Sequence, residues 1–143
     1  MEKLFDNKKI RTYSGRAGSV KFLLGGIGTG NISIGSRGQL ADFEIFNEPS
    51  KGRNMPYTFF SVYSEFADGT KDARVLEGEL NPPYERALGY FSNEMAGLPR
   101  FTSSSLKAAY PFVNVTLEDE KLPLRAEVTA FTPFIPLDAE ESA

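Results

Sequence analysis

Leu24-Gly25-Gly26-Ile27-Gly28-Thr29-Gly30-Asn31 carries four glycines in six positions, between a short apolar run (Val20 to Leu24) and an alternating one (Asn31 to Ile34). Glycine adopts φ > 0 without steric penalty and lets another backbone or a ligand come close. A phosphate cradle would need G-x-G-x-x-G running from a strand into a helix. Here Gly26-Ile27-Gly28-Thr29-Gly30 is G-x-G-x-G, and Asn31-Ile32-Ser33-Ile34-Gly35 after it alternates like a strand. No helix N-terminus would face a pyrophosphate. A Walker loop fails as well, because Asn31-Ile32 stands where Lys-Ser/Thr is required. The run reads as a glycine-rich turn or bulge between two β-strands.

Outward from this turn, short strand patterns alternate with Gly/Pro punctuation. Gly35-Ser36-Arg37-Gly38 turns into Leu40 to Phe46, where Ala41, Phe43 and Ile45 share one face and Asp42 and Glu44 the other. That pattern assigns Phe43 to the core. Asn47 to Pro56 is a charged loop, and Thr58 to Phe66 an aromatic-rich strand. A hairpin turn at Ala67-Asp68-Gly69-Thr70 leads into Asp72 to Leu76. Residues 77–100 are irregular, with one helical turn suggested at Tyr84 to Leu88. Ser103 to Ala109 and Phe112 to Glu118 follow, then Asp119-Glu120-Lys121 turns into Leu124 to Phe131. Val113, Val115 and Leu117 alternate on one face of a hairpin, and Leu124, Ala126, Val128 and Ala130 on the other arm. Residues 1–19 read as a polar N-terminal extension and 20–143 as one all-β domain, an antiparallel β-sandwich truncated at its C-terminal end.

Composition excludes several chemistries. The 143 residues include no cysteine and no histidine, which removes disulfides, thiolate metal sites and Ser-His-Asp or Cys-His catalysis. No cofactor or metal is expected. Net charge is −3 with both signs interspersed, so nucleic acid is not an expected partner. No apolar run is long enough to span a membrane. Met1 to Lys9 lacks the apolar region of a signal peptide, which points to the cytoplasm.

Within those limits the candidates are few. Asp42 and Glu44, two apart on a strand, would project from one face about 7 Å apart, near the spacing of an inverting glycosidase pair. Acidic residues on the exposed face of a strand are the default, so a solvent-facing strand is the preferred reading. The loop residues Glu48, Lys51 and Arg53 are candidate substrate-binding groups. The same loop reads equally well as a solvated connection. Twelve Phe and six Tyr without Trp point to core packing more than to exposed sugar platforms, which favour rings with a polar handle. The sequons Asn31-Ile32-Ser33 and Asn114-Val115-Thr116 fall in strands and carry no weight.

Two blocks of sequence go further. Leu24 to Ser33 with Gly38-Gln39-Leu40-Ala41-Asp42-Phe43-Glu44-Ile45-Phe46-Asn47-Glu48-Pro49-Ser50-Lys51-Gly52, and later Tyr110-Pro111-Phe112 through Ala130-Phe131-Thr132-Pro133-Phe134-Ile135-Pro136-Leu137-Asp138, resemble the N-terminal domain of glycoside hydrolase family 116. That family includes the non-lysosomal glucosylceramidases and microbial β-glucosidases and β-xylosidases. The resemblance implies a β-sandwich followed by a C-terminal (α/α)6 barrel that carries a Glu nucleophile and an Asp acid/base of a retaining mechanism. Neither motif occurs in this chain, so no catalytic residue is assigned and the chain alone is expected to be inactive. Glu48 departs from the Arg that many microbial members carry. The implied role is a non-catalytic domain that packs on the barrel, with 47–56 and 77–100 reaching toward the active-site mouth and the carbohydrate substrate met indirectly. The alternative is a free-standing carbohydrate-binding or adhesion module.

Overall fold

The computed structural model describes residues 10–80, 95 and 97–142; the helical turn expected at Tyr84 to Leu88 lies outside them. Among the described residues there are nine strands and no helix. They are β1 (Arg11–Ser14), β2 (Lys21–Leu24), β3 (Asn31–Gly35), β4 (Leu40–Glu44), β5 (Ser61–Glu65), β6 (Lys71–Val75), β7 (Ser103–Ala109), β8 (Phe112–Glu118) and β9 (Arg125–Phe131). Strands pair antiparallel throughout, in the orders β1-β7-β8-β9, β2-β3-β4 and β5-β6.

The alternation in β8 determines where the core lies. Val113, Val115 and Leu117 are completely buried and pack with Leu106 of β7, Phe101 and Ile34 of β3. Phe22, Leu24 and Leu40 close on this cluster from the three-stranded sheet, Val62 from the β5-β6 ribbon, and Ala126, Val128 and Ala130 from β9. Side chains from separate sheets therefore share one apolar layer, which makes the fold an antiparallel β-sandwich. The Tyr110-Pro111 connection, with a cis peptide bond, joins β7 to β8 in the register Ala109↔Phe112. Inside the polar N-terminal stretch, β1 pairs with β7 and occupies one edge of the four-stranded sheet.

The structure departs from the strand pattern at three places. β3 advances two residues from Asn31 to Ser33 while β4 advances three from Ala41 to Glu44, so β4 contains a bulge. Asp42 sits in it at φ 54°. Strict alternation fails there: Asp42 is buried, not solvent-facing, and Phe43 is only half-buried and stands outside the core cluster. The strand expected from Thr58 is regular only over Ser61–Glu65; before it come Pro56 and Tyr57, the latter at φ 61°. Aromatic rings are also less buried than expected. Among the described residues only Phe101 is fully enclosed, whereas Phe46, Tyr57, Phe60, Tyr63, Tyr110, Phe131 and Phe134 face outward. The rings on loops and on the two-stranded ribbon have no second layer over them.

The turn Gly35-Ser36-Arg37-Gly38 is the reverse case, a connection that lies inside. Gly38 has φ 89°, and a Cβ there would sit 2.8 Å from the Leu76 carbonyl, so only glycine fits. The Ser36 hydroxyl donates to the Gly15 and Ala17 carbonyls. Arg37, 3% exposed, donates to the Gly78 carbonyl at 2.9 Å and pairs with Glu77 at 3.4 Å. Arg100 meets the same Glu77 oxygen at 3.3 Å and also donates to the Met95 and Leu98 carbonyls. A third guanidinium, that of Arg74, joins Asp72 and buried Asp119 while lying over the Phe101 ring.

Leu117→Ala should destabilise by about 2–5 kcal/mol in urea unfolding, and Phe43→Ala by clearly less; the reverse order would contradict the core assigned here. Glu77→Ala removes the carboxylate shared by two buried guanidinium groups and should cost about 3–5 kcal/mol. A loss under about 1 kcal/mol would show the network to be peripheral.

Candidate functional site

The β4 bulge builds the site. At Asp42 the left-handed backbone turns the carboxylate inward, where Oδ1 accepts the Lys21 ammonium at 2.9 Å and the Gly52 amide at 2.6 Å. The Asp42 amide in turn donates to the Arg53 carbonyl at 2.9 Å. The middle of the charged loop, at Gly52 and Arg53, is thus fastened to the sheet through one aspartate. Glu44, at the end of β4, accepts the Lys51 ammonium at 2.7 Å and the Ser50 amide at 3.4 Å. Asp42 and Glu44 consequently serve as anchors for 50–53, each with its own cation. They do not face each other as an acid/base pair across a cleft.

The glycine turn packs against this anchor. Gly30 has φ 81°, and a Cβ there would lie 2.8 Å from the Glu44 carbonyl. Any side chain would push the turn off β4. The turn is held from its other side by the Thr132 hydroxyl, which donates to the Gly25 carbonyl at 2.9 Å, and by the Ile27 amide, which donates to the Ser142 carbonyl at 2.8 Å. Two open clefts result, which share Gly30 and Glu44 as a common wall. One, of about 680 Å³, runs past Phe46, Asn47 and Glu48. The other, of about 560 Å³, is bounded by Ile27, Asn31, Lys51, Tyr110 and Phe134.

The three loop residues singled out in the sequence are therefore separated. Glu48 lines the first cleft and Lys51 the second. Arg53 is exposed, lines neither, and contributes its backbone to Asp42. Sequence reasoning missed Asn31, Tyr110 and Phe134, which reach the cleft from three distant segments. The available signals were the Tyr110-Pro111 step and the Pro133-Phe134-Ile135-Pro136 run, both of which present a ring on a stiff connection. Among the described residues no cluster of three or more Asp or Glu is placed to hold a metal ion, and no helix is long and apolar enough to cross a membrane.

Residues 22–143 match the family described as beta-glucosidase 2, glycosyl-hydrolase family 116 N-term. The chain belongs to that family. No curated protein matches it. The match spans the glycine turn, the bulge, the loop and the β7–β9 meander alike, so both clefts belong to this glycosyl-hydrolase N-terminal domain.

Electrostatics in the family 116 domain follow from the same contacts. Burial pushes the Asp42 carboxyl up, but the Gly52 amide, Lys21 and Ser33 outweigh it and hold the group below its ordinary value of 3.8. Glu44 is held down chiefly by its hydrogen bond from Lys51, with the Ser50 amide assisting. Asp119 repeats the Asp42 pattern, with burial overcome by the Lys121 amide and Arg74. For a carboxylate with a lowered folded pKa, the stabilisation is complete above the unfolded value. It is lost as pH falls through the folded one. The melting temperature should accordingly be flat from about pH 7 to 5 and drop below about pH 4. Asp42→Asn should be less stable at neutral pH and show a shallower acid drop; parallel curves for the two proteins would refute the role given to Asp42.

Proposed function

We propose that this chain is the non-catalytic β-sandwich of a retaining β-glycosidase, which packs on a catalytic barrel of the same protein and shapes the mouth of its active site. The observation that carries the reading is Phe46. Its ring is 96% exposed on a residue with φ 59°, beside Asn47 at φ 58°. A left-handed conformation is costly for a bulky side chain, on the order of 1–3 kcal/mol. Tyr57, at the other end of the same loop, repeats the combination with φ 61° and 82% exposure. Two aromatic rings presented to water on strained backbone suit anchors for a partner surface.

The state of Asp42 and Glu44 supports the non-catalytic part. A retaining glycosidase needs one carboxyl kept protonated near neutral pH beside one that is ionised. Asp42 and Glu44 are both shifted down, and each is occupied by a lysine. Glu48, Lys51 and Arg53 are accordingly assigned to the rim of the site, as contacts for substrate or barrel.

The reading is tested with the chain alone and an aryl β-glucoside. No hydrolysis is expected, and turnover comparable to that of a complete β-glucosidase would overturn it. Phe46→Ser should leave the stability of the chain within about 0.5 kcal/mol, because an exposed ring lacks a folded-state contact to lose. A larger destabilisation would mean that the ring serves this fold and not a partner.

A further inference from the structure

The second cleft has a composition that the packing role does not require. It is largely apolar, with Tyr110 49% and Phe134 38% exposed along it, and it carries an amide (Asn31), a carboxylate (Glu44) and an ammonium (Lys51). Its volume of about 560 Å³ lies in the range of small-molecule sites, roughly 300–1,000 Å³. We propose that this cleft is a subsite for a neutral glycan, with Tyr110 and Phe134 taking the C–H face of a pyranose and Asn31, Glu44 and Lys51 its hydroxyls. The proposal rests on the β-glycosidase reading, because that reading is what brings a glycan to this surface.

Charge decides the ligand class. Both lysines of the cleft are matched, Lys21 to Asp42 at 2.9 Å and Lys51 to Glu44 at 2.7 Å. A phosphate or carboxylate ligand would meet no surplus positive charge and would sit beside Glu44. An apolar partner segment would have to strip water from the Lys51–Glu44 pair without replacing its hydrogen bonds, which is costly. A sugar rim is different. Each hydroxyl both donates and accepts, so it can serve the carboxylate, the ammonium and the amide in turn. An apolar surround with a few convergent polar groups is the usual make-up of such a site.

The walls are also set in advance. Gly25 is held by Thr132, Ile27 by Ser142, and Gly30 rests against the Glu44 carbonyl. Little ordering is left for the ligand to impose, which favours measurable affinity from a small contact area.

The experiment is a titration of the 143-residue chain with cellotriose, followed by amide chemical shifts, beside one with glucose 6-phosphate. Expected is saturable binding of cellotriose with a Kd on the order of millimolar, with shifts centred on Gly25, Gly30 and Asn31. Lys51→Met and Phe134→Ser should each weaken it by about tenfold, while Lys51→Met, which breaks the pair between a largely exposed ammonium and Glu44, stays folded and melts only slightly below the parent. No saturation up to about 20 mM, or unchanged affinity in both variants, would overturn the proposal. So would tighter binding of glucose 6-phosphate, which marks an anion site, or a concentration-dependent dimer that buries the cleft, which marks a protein contact. Failure of the non-catalytic reading shows separately, as aryl β-glucoside hydrolysis by the chain alone, an outcome that leaves glycan binding in this cleft to be decided by the titration.

Discussion

The Glu77 carboxylate, shared between Arg37 and Arg100, is the interaction on which the arrangement of the sheets depends. Arg37 comes from the β3–β4 turn, Glu77 from the segment after β6, and Arg100 from the approach to β7. One buried oxygen thus ties together chain segments that belong to three separate sheets. Charged groups removed from water are tolerated only when paired and hydrogen-bonded, and both guanidinium groups also donate to backbone carbonyls. Apolar packing tolerates some sliding between layers, whereas this network does not. Arg74 repeats the device on a smaller scale, linking β6 to buried Asp119 after β8.

The fixed sheets give the glycine turn and the charged loop a firm base. The Asp42 bulge diverts β4 and fastens the loop through Gly52 and Arg53. The turn then packs on the end of β4, and the two clefts are what remains between. In this family 116 N-terminal domain Gly25 and Gly30 serve close backbone approach. The loop's charged residues are divided between anchoring and exposure, and that division puts Glu48 and Lys51 on different sides of one wall.

What could be read in advance was whatever depends on period and punctuation. The β7–β8–β9 meander was legible because Val113, Val115 and Leu117 keep strict alternation between a Pro-containing turn and a polar one. The glycine run was legible as a turn because nothing helical follows it. Features that depend on distant partners were not. Arg37 and Asp119 sit in segments that look like surface turns, and their charges are met by Glu77 and Arg74, far away in sequence. The bulge was hidden for a related reason: Ala41 to Ile45 alternates well, and only the pairing register with β3 shows the extra residue. Of the candidate site, Lys51 was accessible to sequence reasoning. Tyr110, Phe134 and Asn31 were not, since no local pattern says which rings will share a cleft.

The bond from Thr132 to Gly25 spans 107 positions, and Ile27 is held by Ser142, near the opposite end of the chain. During synthesis the glycine turn leaves the ribosome long before the residues that will clasp it. Loop-closure entropy has to be met before either contact gives anything back. The cleft is therefore among the last parts of the domain to take shape, and a nascent chain stalled before Thr132 would hold β2 and β3 with their connecting turn still unclasped.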